Sequence, residues 1–432
     1  MRSSLIAALA AVTLAVTACS DPSAGSSATG GPVEWADPTT KLDGVQLTIW
    51  AAQNSSTVPK QVVEAFEKAT GASVEIVTIP DPYEQSIQTR VATGDKPDLA
   101  FWQPTASMLT AINAKTNLQP LDEAPWLDEY DPTLRDMTGI LDDTRYAALV
   151  TSPAVEGVYY NKKVFAAHGI TSTPANFGEM VALGRQLKTA GQTPFFEMGA
   201  DRWGTQWWIH VQLADAAKDG LWERVNKGEE TFSDPTILNS ITTYQNLVKE
   251  GLFNTDVVTA TFEDEGEALL SGKAAMVVQV NSFFNQLQAS ADTAELNDTI
   301  GFFPISPSGN VGTYIPDQSN ALVAFRTGDA TREAAARQLL AYWMGPGYAN
   351  FVADRQTVSL KPSVASPAGV PQALLDVHAA LANSVGSMQV LAVANPDLYI
   401  NLADMLAGEM TPEEVAKATQ DQFEQLAEAA GK

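Results

Sequence analysis

The chain has 432 residues, 45% hydrophobic and 18% charged, a balance suited to packed cores and not to a disordered tail. At about 100–200 residues per domain, that length points to two or three lobes. A formal net charge of −25 excludes a nucleic-acid surface and docking on anionic lipid through a basic patch, since both need dense Lys and Arg.

One cysteine, Cys19, leaves no internal disulfide framework and no cysteine-rich metal site. His168, His210 and His378 lie far apart in sequence without partner ligands, so neither a metal nor another cofactor is expected.

In chain order, residues 1–18 have the layout of an export signal. Arg2 precedes an apolar run from Leu5 to Val16, too short to span a bilayer, which takes about 20 apolar residues. The run ends in Val16-Thr17-Ala18-Cys19, which resembles the bacterial lipobox, although Leu is usual where Val16 stands. That resemblance implies a lipid on the Cys19 sulfur and a mature chain beginning there. Residues 19–43, rich in Ser, Gly, Ala, Pro and Thr, read as a flexible tether. No second run is long enough to cross a membrane. The expected location is extracytoplasmic, on the outer face of the cell membrane, held by the lipid on Cys19.

Val45 to Trp50 alternates as a strand, and Val62, Val63 and Phe66 share one helix face that ends at Gly71. Val74 to Ile79 reads as a strand, Glu84 to Ala92 as a helix and Asp98 to Trp102 as a third strand. This alternation predicts an α/β layer with a largely parallel sheet. Further on come a strand at 157–160, a helix carrying Phe177, Met180, Val181 and Leu187, and a helix opening at Asp234-Pro235. Phe262 to Leu270 reads as helix, with strands at 274–280, 300–303 and 320–325 and a helix at 331–343. A C-terminal helix opens on the capping box Thr411-Pro412-Glu413-Glu414.

Four segments carry a family resemblance: Leu47 to Trp50 with Val63 to Gly71, Ala92 to Trp102, Tyr159 to Phe165, and Leu270 to Met276 running on to Asn281 through Phe284. In this order they resemble the extracellular solute-binding proteins of ATP-driven (ABC) importers, the family that includes maltose-binding protein. The resemblance implies an α/β, two-lobe, periplasmic-binding-protein-like (type II) clamshell with discontinuous lobes and a hinge. The implied lobes are 44–150 with 309–345, and 151–308 with 346–432. It further implies a binding function and no enzymatic one, a monomer, a small-molecule ligand, and importer permease subunits as partners.

Sugars present hydroxyls and apolar C–H faces, so a site needs planar rings and paired hydrogen-bonding groups. In α/β sheets the place to look is just beyond the carboxyl ends of strands. Gln53 and Asn54 follow the first strand and match the family's loop of polar contacts; ordinary loop polarity explains them equally well. Tyr83 and Glu84 fall where the family has a contacting carboxylate, although Glu84 also suits a first helical turn. Trp102 and Gln103 match a position where the family stacks an aromatic on sugar, with a core tryptophan as the alternative. The segment Asp201 to Trp208 holds three tryptophans in six residues. Trp203 is expected to stack on ligand with Asp201 or Arg202 bonding hydroxyls, while Trp207 and Trp208 start a core helix. Phe284 stands where the family commonly has tryptophan. Asp317 and Gln318, before Asn320, and Tyr399, near a C-terminal aromatic contact of the family, complete the set.

The first expectation is a mono- or oligosaccharide ligand. A non-sugar solute (polyamine, glycerol phosphate or iron) is the alternative, because the loops show one or two charges only. A carbohydrate-active enzyme ranks third: paired carboxylates cannot be excluded among 51 acids, but no nucleophile elbow, metal cluster or phosphate loop is present.

Overall fold

The computed structural model describes residues 35–52, 59–80, 82–429 and 431. Cys19, the export signal, most of the tether, and Gln53 and Asn54 lie outside the described residues. The strands, in chain order, are β1 (Gln46–Ala52), β2 (Ser73–Ile79), β3 (Leu99–Phe101), the short pair β4 (Ile140–Leu141) and β5 (Thr144–Arg145), and β6 (Ala147–Leu149). Then follow β7 (Ala154–Asn161), β8 (Thr193–Phe196), β9 (Ala274–Gln279), β10 (Ile300–Phe303), β11 (Gly312–Ile315), β12 (Ala321–Ala324) and β13 (Ser384–Gly386).

Two sheets result. The first has the order β2-β1-β3-β12-β6; the second runs β13-β11-β7-β9-β8, with β10 also paired to β7. In the first, β1 is parallel to β2 and β3, as expected when a helix returns the chain to the same end. The helix Lys60–Thr70 does this by burying Val62, Val63, Phe66 and Thr70 along one stripe. Gly71 stops it at φ 84°, its N–H bonded to Glu67 O, a conformation that suits glycine.

The largely parallel sheet is corrected by the structure. β12 runs antiparallel to β3 and β6, and β7 is antiparallel to β9, β10 and β11. A strand arriving from the other half of the molecule comes in from the far end, so crossing strands reverse the direction. β7 is buried along almost its whole length, its Gly157 lying where a Cβ would come within 2.5 Å of the Phe302 ring. Only a residue without a side chain admits that ring.

Side-chain alternation divides the second sheet between two cores. Val155, Tyr159 and Val277 point into the core that also holds Ile49, Phe66 and Leu99. Val158, Met276 and Val278 point into the other, with Trp208, Ile241 and Tyr244.

The expected lobe boundaries move. A return at 309 is too early, since β11 still pairs with β7, and the chain crosses between Ile315 and Ala321. An exit at 345 is early as well. The helix Tyr348–Arg355 buries Tyr348, Phe351 and Val352 in the same core as Phe66 and Trp343. Those rings need the first layer's cover. The helix Gln372–Ala380 then packs on β10.

The capping box at the last helix, Pro412–Ala429, forms as expected. Thr411 N–H donates to Glu414 Oε2 at 2.8 Å and Glu414 N–H to Thr411 Oγ1 at 3.2 Å.

Candidate functional site

The carboxyl ends of β6, β9 and β11 bring three loops together where the chain crosses between the sheets. They line a cavity of about 210 Å³ with Thr151, Ser152, Asn281, Ser282, Asp317 and Asn320, closed on one side by Asp354 to Val358. Most of these side chains are hydroxyls and amides. Asn320 Nδ2 donates to Thr151 Oγ1 at 3.1 Å and to Ser152 O at 3.0 Å, so one amide ties both crossing segments. Asn281 Oδ1 accepts the Val155 N–H at 2.8 Å and fixes the start of β7. These crossing residues were missed by sequence reasoning. Their signal was position alone: Thr151, Ser152 and Asn281 stand two or three residues past a strand, and Asn320 directly before β12.

Asp317 lines this cavity, but its Oδ1 already accepts the Ser319 N–H at 2.7 Å. Enclosure raises its carboxyl above the ordinary range, against the pull of the Ser319 and Asn320 hydrogen bonds. Gln318 is half-buried, its Oε1 without a hydrogen-bond partner among the described residues. Phe284 borders the cavity with little surface to offer, packed 5.6 Å from the Tyr159 ring.

On the first lobe, two of the expected ligand-contacting rings are core. Trp102 is 0% exposed; its Nε1–H donates to Met108 O and its backbone N–H to Ala321 O, both at 3.1 Å. The backbone bond continues the sheet past β3, and that pairing draws the ring inward. Tyr83 is 1% exposed, and its hydroxyl donates to Phe101 O at 2.7 Å while lying 3.2 Å from Trp50 O. It pins the ends of β1 and β3. Glu84 and Gln103 are half-buried.

On the second lobe the candidates gather. After β8 the chain reaches Asp201, whose Oδ2 accepts the Phe262 N–H at 2.6 Å. Arg202 is exposed and lies 3.4 Å from Asp404 Oδ1. Trp203 is half-buried, 5.1 Å from the Phe262 ring and 6.2 Å from Trp207. Thr205 Oγ1 donates to Tyr399 O at 3.0 Å, joining this loop to the helix Leu398–Leu406. The half-buried Tyr399 phenol is pushed above its ordinary value by burial, then by Asp397 and Glu84, with Arg202 opposing. Glu84 thus sits within electrostatic reach of Tyr399 from the other lobe. Trp207 and Trp208 are buried as expected, Trp208 stacking on Tyr244 at 5.9 Å.

Behind this loop two carboxyls are sealed in the second lobe. Burial pushes Glu197 up to about 7, against hydrogen bonds from Tyr244 and the Met198 N–H. Glu265 is raised by burial and then by Glu197, with Gln279 Nε2 donating to it at 2.8 Å. Among the described residues no cluster of His, Cys, Asp or Glu is placed to hold a metal ion, and no helix is long and apolar enough to cross a membrane.

Residues 51–350 match the family model of bacterial extracellular solute-binding proteins. A binding protein of Brucella abortus is 24% identical over 298 residues, covering 67% of this chain and 70% of that one. A multiple sugar-binding protein of Streptococcus mutans is 25% identical over 226 residues, 50% of this chain and 48% of its own. Among solved structures, a chitin oligosaccharide binding protein superposes with a TM-score of 0.75 at 20% identity, covering 89% of this chain and 99% of that one. RafE in complex with raffinose gives 0.71 at 18% identity, covering 89% and 100%. These structures share the two-domain solute-binding fold.

Proposed function

The chain belongs to the bacterial extracellular solute-binding protein family, and from that premise we propose that it captures a mono- or oligosaccharide between its lobes for an ABC importer. The observation that carries the reading is the hydroxyl- and amide-lined cavity at the crossing segments; on the second lobe the half-buried Trp203 and Tyr399 offer ring surface as well. Hydroxyl and amide groups exchange paired hydrogen bonds with sugar hydroxyls, and rings cover C–H faces. Similar proteins named for chitin oligosaccharides, raffinose and multiple sugars point the same way. The contacts we propose are Glu84, Gln103, Asp201, Arg202, Trp203, Asp317, Gln318 and Tyr399, with Gln53 and Asn54 from the loop after β1. Closure of the lobes on the ligand makes both sets of contacts at once, which shifts the open–closed balance.

A lipid on Cys19 holds the receptor at the outer face of the membrane, where permease subunits take the sugar inward. The protein is a receptor and performs no chemistry on its cargo. Calorimetry with raffinose, chitin oligosaccharides and their monosaccharides tests the ligand class. Saturable heat from at least one, with the sugar recovered intact, is expected. Silence across these sugars alongside tight binding of spermidine or glycerol phosphate overturns it.

A further inference from the structure

Arg202 turns the backbone with φ 57° and ψ −52°. The Trp203 N–H donates to Asp201 O at 2.5 Å, which closes a γ-turn of the rare positive-φ form. Asn113 at φ 51°, ψ 59° and Gln356 at φ 47°, ψ 43° also have positive φ, but they sit in the left-handed helical basin. Arg202 lies outside that basin. Glycine would adopt this turn without Cβ strain, yet the chain carries its longest cationic side chain there.

The surroundings hold the turn in place. The Thr205 N–H donates to Arg202 O at 2.9 Å with the Thr205 hydroxyl oxygen 2.8 Å from the same carbonyl, and the Asp201 carboxylate accepts the Phe262 N–H. The guanidinium remains about half exposed, its side chain 51% accessible, although Asp404 is 3.4 Å away. Strain kept by such a frame marks a residue whose side chain is needed where it stands.

We infer that Asp201-Arg202-Trp203 is a strained sugar clamp: the Arg202 fork donates paired N–H groups to vicinal hydroxyls of a neutral saccharide while Trp203 covers a sugar face. This rests on the carbohydrate reading above and narrows it. Arg202 is outnumbered here by Asp404, Asp201, Asp397 and Glu84, so a sugar acid or sugar phosphate meets a net negative field, whereas a neutral polyol does not. Asp404, whose Oδ1 lies 3.4 Å from one guanidinium nitrogen, is a positioning residue that draws the Arg202 side chain toward the helix Leu398–Leu406.

The test compares wild type with R202A, R202G, R202K, D404N and D404E. Each is titrated calorimetrically with raffinose, chitin oligosaccharides and oligogalacturonate, and the unfolding midpoint of the ligand-free form is recorded. A neutral sugar is expected to bind the wild type and to lose at least tenfold in affinity in R202A, R202G and R202K. R202G is expected to unfold at a higher temperature than R202A, because both lack the guanidinium and only the glycine relieves the turn. D404N weakens binding several-fold at an unchanged midpoint, and D404E restores it. Unchanged affinity in R202A and R202K, or equal midpoints for R202G and R202A, removes the clamp while leaving a sugar receptor. Tighter binding of oligogalacturonate overturns the neutral-ligand assignment. A wild type blind to all three saccharides defeats the carbohydrate reading itself, and the clamp falls with it.

Discussion

Trp102 and Trp203 both stand in segments leaving the carboxyl end of a strand, one on either sheet, Trp102 directly after Phe101 and Trp203 at the far end of the loop that follows Phe196. Their fates differ. Past β3 the backbone goes on pairing, with Trp102 N–H bonded to Ala321 O, and the indole turns into the core with its own donor satisfied by Met108 O. Past β8 the chain leaves the sheet, and a strained turn at Arg202 leaves Trp203 half-exposed beside Phe262. Position after a strand selects candidates for ligand contact. Whether the backbone continues its hydrogen bonding decides which of them is sealed in the core and which keeps exposed surface.

The sharpest way to break this contrast is to remove each ring. Trp102→Ala opens a large hole in a sealed core and is expected to cost about 3–5 kcal/mol of ligand-free stability, measured by urea unfolding. Trp203→Ala is expected to cost under about 1 kcal/mol, since part of its surface is already wet, but to weaken sugar binding at least tenfold by calorimetry. Equal destabilisation by both would place Trp203 in the core as well.

A second contrast lies between the sealed carboxyls and the open ones. Glu197 is raised by burial to about 7, so in the folded protein it holds its proton where the unfolded chain, near its ordinary value, has released it. The contribution is therefore fully present below about pH 4.5 and is lost as pH rises toward and through 7. A shift of this size corresponds to stability on the order of 3 kcal/mol across that window. Glu197→Gln is expected to flatten the decline between pH 4.5 and 7, seen as parallel unfolding curves where the wild type's spread apart. A wild-type curve that instead rises with pH through this window, or a variant that retains the full decline, would show that the carboxylate is solvated.

Much of the fold was legible in the sequence because its signals are local. The stripe Val62, Val63 and Phe66, the stop at Gly71 and the capping box at Thr411 each act within a turn or two of chain, and all stand where the pattern put them. The crossings were harder. β11 is short, and nothing within Gly312 to Ile315 says that it pairs with β7, more than 150 residues earlier. Among the candidate contacts, the Asp201–Trp203 segment stands out in the sequence because three closely spaced tryptophans exceed what a helix face absorbs. Trp102 and Tyr83 came from a family likeness and proved buried, because a likeness transfers a position but not the depth of a side chain. Asn281 and Asn320 went unnoticed because an amide that ties two distant segments has no periodicity.

The smallest effects separate two tyrosines. Tyr83 and Tyr399 were both expected at the ligand, yet Tyr83 is sealed and gives its hydroxyl to Phe101 O at 2.7 Å, whereas Tyr399 is half-buried within reach of Glu84 across the lobes. Tyr83→Phe leaves a buried carbonyl without its donor, which is expected to cost about 1–2 kcal/mol of stability with sugar affinity unchanged. Tyr399→Phe is expected to leave ligand-free unfolding within about 1 kcal/mol of wild type while weakening binding a few-fold, because the lost hydroxyl bond to Asp397 is only half-buried and the proposed donor to the ligand goes with it. The two losses fall on different measurements because the Tyr83 hydroxyl is sealed against Phe101 O, whereas the half-buried Tyr399 hydroxyl, bonded to Asp397, is the one we propose to face the ligand. Were Tyr83→Phe to weaken binding at unchanged stability, the clip between β1 and β3 would itself belong to the sugar site.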